Sequence, residues 1–151
     1  MVILIAAVLA TIGATLMSSG FRTYFLGREL SRDAAQGTLA IERLTRDLRM
    51  IRSATAADLT IVPSTQITFV DVDGNSVVYA LTAGSLTRSQ NGGPAQPLAD
   101  NVSGLTFTYL LNDGATTAGA ATAVWYVTAA VTVTSQNVST TFRGTVKPVN
   151  F

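Results

Sequence analysis

Hydrophobic positions along this 151-residue chain change their spacing twice. The first stretch, Met1 to Phe21 (MVILIAAVLATIGATLMSSGF), has no period: no side-chain charge precedes Arg22, and Ile3, Ile5, Val8, Leu9, Ile12 and Leu16 point in every direction around a helix. At about 1.5 Å per residue such a helix reaches roughly 30 Å, the thickness of a bilayer's hydrocarbon core, so a transmembrane span is expected. All of its sides must leave water, either into lipid or against copies of itself. Small residues (Ala6, Ala7, Ala10, Gly13, Ala14) alternate with the large ones and let helix backbones approach closely where every surface is equally apolar. A cleaved signal peptide would carry a basic region before the apolar run and a small-x-small site after it, and neither is evident. An ordinary single-pass anchor is a second reading of the same length. Basic residues beside a span usually stay cytoplasmic, which taken alone puts the polar remainder inside; a positive leader removed during maturation reverses that orientation.

From Arg22 the period becomes helical. Leu30, Ala34, Gly37, Ile41, Leu44, Leu48 and Ile51 step by four and three and share one face of a helix. Opposite them lie Arg28, Arg32, Asp33, Glu42, Arg43, Arg46, Asp47 and Arg49, read as a solvated face. No proline interrupts residues 1–62, so one helix over 1–53 is predicted, on the order of 80 Å long, with an apolar stalk (1–21) and an amphipathic part (22–53). Ser18, Ser19 and Gly20 mark where that helix would loosen inside a protein assembly, close packing at the glycine being the competing reading.

After Ser53 the period falls to two. Gln66 to Val72 alternates, with Ile67 and Phe69 on one face; Asp73-Gly74 turns; Ser76 to Leu81 returns with Val77 and Tyr79 inward. A short strand from Leu86, a loop over 91–97 (NGGPAQP), a strand from Gly104 to Leu111, a turn at Asn112-Asp113-Gly114 and a loop from Thr116 to Ala121 follow. The longest strand, Ala123 to Thr134, then pairs with Val138 to Val146 across Ser135-Gln136-Asn137. These strands make a meandering antiparallel sheet, a head over residues 54–151. One face of it needs cover, and the stripe Ile41, Leu44, Leu48 and Ile51 is available to supply it. The expected fold is α+β: a long N-terminal helix whose second half packs on a β-meander.

Composition narrows the chemistry. There is no Cys and no His, which removes disulfides, thiol and imidazole catalysis and the usual haem and zinc sites. No acid, base and nucleophile constellation can be assembled, so no catalytic, cofactor-binding or metal residue is expected and the chain reads as no enzyme. The basic excess lies on the helix: Arg22, Arg28, Arg32, Arg43, Arg46, Arg49 and Arg52 stand against Glu29, Asp33, Glu42 and Asp47. Arg43, Arg46, Arg49 and Arg52 spiral along one side and could meet phosphates, but Glu42 and Asp47 interrupt them, and nucleic acid is not an assured partner. Asp71-Val72-Asp73-Gly74-Asn75 opens like a calcium loop yet has Ser76 and Thr82 where glycine and glutamate would be needed, so a hairpin turn is the favoured reading. Asn101-Val102-Ser103 and Asn137-Val138-Ser139 match the N-glycosylation acceptor pattern, and Thr116 and Thr117 are candidate O-linked positions. Phe21, Tyr24 and Phe25 stand where interfacial anchors would.

The order of apolar segment, amphipathic continuation and β head resembles type IV pilins and the pseudopilins of type II secretion. The resemblance spans nearly the whole chain and is carried by LAIERLTRDLRMIRSA (39–54), QITFVDVDGNSVVYALTAGSLTR (66–88) and PLADNVSGLTFTYL (97–110), closest to the minor-pilin branch. It implies a structural subunit that polymerises into a helical filament through Ile3, Ile5, Val8, Leu9, Ile12, Gly13 and Leu16, held in the inner membrane as a precursor and then displayed at the cell surface. Partners would be copies of itself, other pilins or pseudopilins, and the inner membrane before assembly. The alternative within the family is a minor pilin or pseudopilin at a filament tip or in a type II secretion system, anchored in the inner membrane. Members usually begin with an N-methylated aromatic residue, followed by a glutamate that is thought to pair with a neighbour's N-terminus. MVILIAAVLATIG resembles the part after that glutamate, as if a few residues preceded it; alternatively Ile5 stands in the glutamate's place, as in some tip members.

Overall fold

The structure, a computed structural model, describes residues 2–61 and 65–151, with side chains described from Gly13 onward. The fold is α+β. Among the described residues a helix, α1 (Val2–Arg49), precedes eight strands: β1 (Leu59–Thr60), β2 (Gln66–Val70), β3 (Ser76–Thr82), β4 (Ser85–Gln90), β5 (Gln96–Ala99), β6 (Val102–Leu110), β7 (Tyr126–Ser135) and β8 (Val138–Val146). The chain divides within α1 into two compact units, Met1–Arg32 and Asp33–Phe151.

In the first unit α1 runs without interruption. Ser18, Ser19 and Gly20 are regular α-helix in the single chain, and the Thr23 hydroxyl donates back to the Ser19 carbonyl at 3.0 Å. Everything from Gly13 to Glu29 is exposed.

In the second unit the end of α1 lies over two antiparallel sheets. The helix stops at Arg49 rather than reaching residue 53, and the reason is backbone competition. Met50 N–H bonds the Asp47 carbonyl at 3.0 Å in a tightened last turn. Arg52 N–H then donates to the Val70 carbonyl at 2.9 Å, Val72 N–H to the Met50 carbonyl at 2.9 Å, and Ile51 bridges Asp71. The end of β2 thus captures the residues that would have continued the helix.

The strands form two sheets where the alternation pattern predicts one: β1-β2-β3-β4-β5 and β6-β7-β8, each a meander. The break falls at Asp100–Asn101, where Asn101 turns the chain with a φ of 57°. Val102 N–H bonds Gly84 and Thr134 N–H bonds Asn101, both at 2.8 Å, so the chain enters β6 as a corner rather than a hairpin. Gln96 and Pro97, expected as the end of a loop, instead open β5, an edge strand beyond a register shift at Leu86/Thr87. Pro97 is tolerated there because an edge needs fewer donors. The longest strand begins at Tyr126, since Ala121–Ala123 winds into a 3-10 turn.

One core joins the layers: Ala40, Ile41, Leu44, Leu48 and Ile51 from the helix end, Ile67, Phe69, Val77, Tyr79 and Leu86 from the first sheet, and Leu105, Phe107, Val127, Ala129 and Val131 from the second. Phe69 and Tyr79 stack with centroids 6.5 Å apart. Two glycines set how closely α1 meets β8. A Cβ at Gly37 would lie 2.3 Å from the Phe142 ring, and a Cβ at Gly144 would lie 2.3 Å from the Thr45 methyl. Each partner has given up a side chain where the other presents one.

Candidate functional site: the apolar helix and its anchorage

The residues singled out for assembly and for head packing lie on α1, except Ile51, which follows its end. Ile3, Ile5, Val8, Leu9 and Ile12 lie outside the residues whose side chains are described. Gly13 and Leu16 are exposed, Leu16 at 67%. They are followed by Met17, Phe21, Tyr24 and Phe25, all more than half exposed, so large apolar surface continues beyond the first charge at Arg22. Tyr24 and Phe25 meet edge to face at 5.9 Å. Among the described residues, and apart from the helix's own backbone and the adjoining residues, nothing lies within 4 Å of the Cβ positions of Gly13, Gly20 or Gly27. Among the described residues, no helix is long and apolar enough to cross a membrane.

The packing set behaves otherwise. Leu44, Leu48 and Ile51 are fully buried and Ile41 is 9% exposed. Around them the structure places polar fasteners that reading by residue type misses. Asp47, assigned by sequence to the solvated face, accepts from the Tyr79 hydroxyl and from Arg88 Nε, each at 2.8 Å. Burial, and after it the Asp47 carboxylate, pushes the Tyr79 phenol well above its ordinary value. Asp33 is buried, its carboxylate accepting from the Asn101 amide at 3.2 Å. The only sequence signal was position: Asp47 precedes Leu48, and Asp33 stands one turn before Gly37, both at the rim of the apolar stripe.

Other candidates resolve into structural roles. Arg52, last of the arginine spiral, pairs with the buried Asp58, which also accepts from the Ser53 hydroxyl. Hydrogen bonds from Arg52 and then Ser53 hold that carboxyl below its usual range. Arg43, Arg46 and Arg49 are exposed. Asp71 spends its carboxylate on the turn, accepting the Asp73 and Asn75 backbone N–H groups at 3.0 and 2.8 Å, so the hairpin reading of this loop fits its geometry. Among the described residues no group of three or more His, Cys, Asp or Glu could hold a metal ion. Of the two acceptor patterns, Asn101 has its amide engaged by Asp33, whereas Asn137 sits exposed at the β7–β8 turn with a φ of 64°.

One buried group has no partner among the described residues: the Tyr109 hydroxyl, on a residue only 4% exposed. Burial pushes its phenol up to about 12. No protein-family model matches the chain, and no curated protein matches it.

Proposed function

We propose that this chain is the structural subunit of a type IV pilus-like extracellular filament, polymerising through its apolar N-terminal helix. The observation that supports this best is the contrast within α1. Residues 13–29 carry exposed Leu16, Met17, Phe21, Tyr24 and Phe25, while Leu44 and Leu48 near its other end are fully enclosed by the chain's own sheets. Contiguous exposed apolar surface of this kind marks an interaction site. A helix apolar on all sides is covered by lipid or by other helices. In this reading the inner membrane covers the helix before assembly, and neighbouring subunits, copies of itself or other pilins, cover it afterwards.

The energetics favour a durable product. Each Å² of apolar surface kept from water contributes about 25 cal/mol, so contacts that are near neutral in lipid become strongly favourable once the helices leave the bilayer.

Electron microscopy of purified full-length protein tests the reading. Filaments with a helical core and outward heads are expected, and detergent-bound monomers alone would sink it. Labelled antibody along the whole filament supports a main structural subunit, whereas label at one end only assigns the chain to the tip.

A further inference from the structure

The outward face of the β6-β7-β8 sheet plays no part in the core, and none of its outward residues is buried. Register places its side chains in rungs across the three strands: Thr108, Thr128 and Thr145 in one, Thr106, Ala130 and Arg143 in the next, then Gly104, Thr132 and Thr141. Hydroxyl pairs at 2.9 Å, Thr128 with Thr145 and Thr132 with Thr141, fix the two flanking rungs. The middle rung differs because Ala130 presents only a methyl between Thr106 and Arg143. A trough of about 410 Å³ results, floored by Ala130, walled by threonine side chains and by Leu110, and bounded by the Arg143 guanidinium. The two strands that flank its floor, two strand spacings apart, are separated by about 10 Å.

The charge on this face is one-sided. None of the three strands carries a carboxylate anywhere along its length. The ion pairs of Arg52 with Asp58 and of Arg88 with Asp47 lie elsewhere. One guanidinium is too little for a nucleic-acid backbone, whose footprint needs a cluster of cations. It suits a ligand with one carboxylate among many hydroxyls. Guanidinium takes a carboxylate through two parallel N–H bonds, and threonine hydroxyls both donate to and accept from sugar hydroxyls. The trough falls within the range of about 300–1,000 Å³ usual for small-ligand sites.

We propose that this trough binds acidic polysaccharide, with Arg143 on a uronate carboxylate and the Thr106, Thr128, Thr132 and Thr141 hydroxyls on the ring hydroxyls around it. The site belongs to the single head and holds whether or not the chain polymerises.

Affinity electrophoresis of the full chain in detergent micelles, through gels containing polygalacturonate or neutral dextran, tests it. Polygalacturonate should retard the protein and dextran should not. Arg143→Gln should weaken retardation by about tenfold or more, the scale of one lost charge-assisted pair. Ala130→Leu, which fills the trough and leaves the charge alone, should weaken it comparably. Arg46→Gln, the same charge change on α1, should leave it unchanged. Thermal midpoints establish that each variant is folded; if Ala130→Leu is not, the two arginine variants decide. The proposal fails if polygalacturonate gives no retardation, if dextran retards equally, if Arg143→Gln binds as tightly as the parent, or if Arg46→Gln weakens binding as much.

Discussion

Gly144 is a small residue with a large role, because the Thr45 methyl occupies the space its side chain would need. Gly144→Ala should therefore cost about 1–3 kcal/mol, the range for overpacking a filled interior, whereas Gly119→Ala, which meets nothing, should stay within about 0.5 kcal/mol. Adding Thr45→Ser removes the methyl and should restore much of the loss. Chemical denaturation of the single and double variants measures each term. Tyr109 makes the opposite prediction. Its hydroxyl is buried without a partner, so Tyr109→Phe should leave stability unchanged or raise it by about 1 kcal/mol. The same residue gives a pH dependence. Its folded value of about 12 lies above the unfolded 10.0, so the unfolded chain loses the phenolic proton first and stability falls as pH rises from about 10 to about 12. Tyr79, whose value is also raised, adds to the fall at the alkaline end. Urea midpoints between pH 9 and 12 should decline less steeply in Tyr109→Phe than in the parent.

At the scale of elements, the division of α1 at Arg32/Asp33 predicts that residues 33–151 fold alone as a soluble head. That fragment retains Ala40, Ile41, Leu44, Leu48 and Ile51, and should give one cooperative thermal transition; a non-cooperative melt would mean that the earlier part of the helix is needed. Shortening the fragment to begin after Leu48 should abolish the transition, since burying a leucine contributes about 1.5–3 kcal/mol and several would go at once. This packing stripe was legible in the sequence because apolar residues at steps of three and four have no other economical arrangement. Inward Ile67, Phe69, Val77 and Tyr79 were legible from their alternation. The split into two sheets was not. Alternation says which face a strand buries and is silent about which strand lies beside it, so the corner at Asn101 left no trace in the period. Pro97 concealed β5 by resembling loop, and Asp47 was misread because an isolated acid is usually solvated; only its partners Tyr79 and Arg88, distant in sequence, explain it.

For the molecule as a whole, the apolar character of the exposed helix was legible from missing charge alone, and no spacing could name what covers it. If neighbouring copies are that partner, Leu16→Asp puts an unpaired carboxylate in a dry helical core and should cost several kcal/mol per subunit. Filaments should be absent from Leu16→Asp and normal in Thr117→Asp, which changes an exposed loop of the head. Pelleting and microscopy of the two decide the matter; normal polymers from Leu16→Asp would remove this helix from the core. The reciprocal glycines bear on how such a polymer would behave under tension. With Phe142 seated over Gly37 and Thr45 over Gly144, the helix end is indexed against β8 like a pawl against a toothed wheel. Small axial slippage drives side chain into backbone at both positions together, and the next seating along a helix lies a full turn away, about 5.4 Å. Force along the axis should meet a stiff elastic response and then a single abrupt release, with no gradual creep between them.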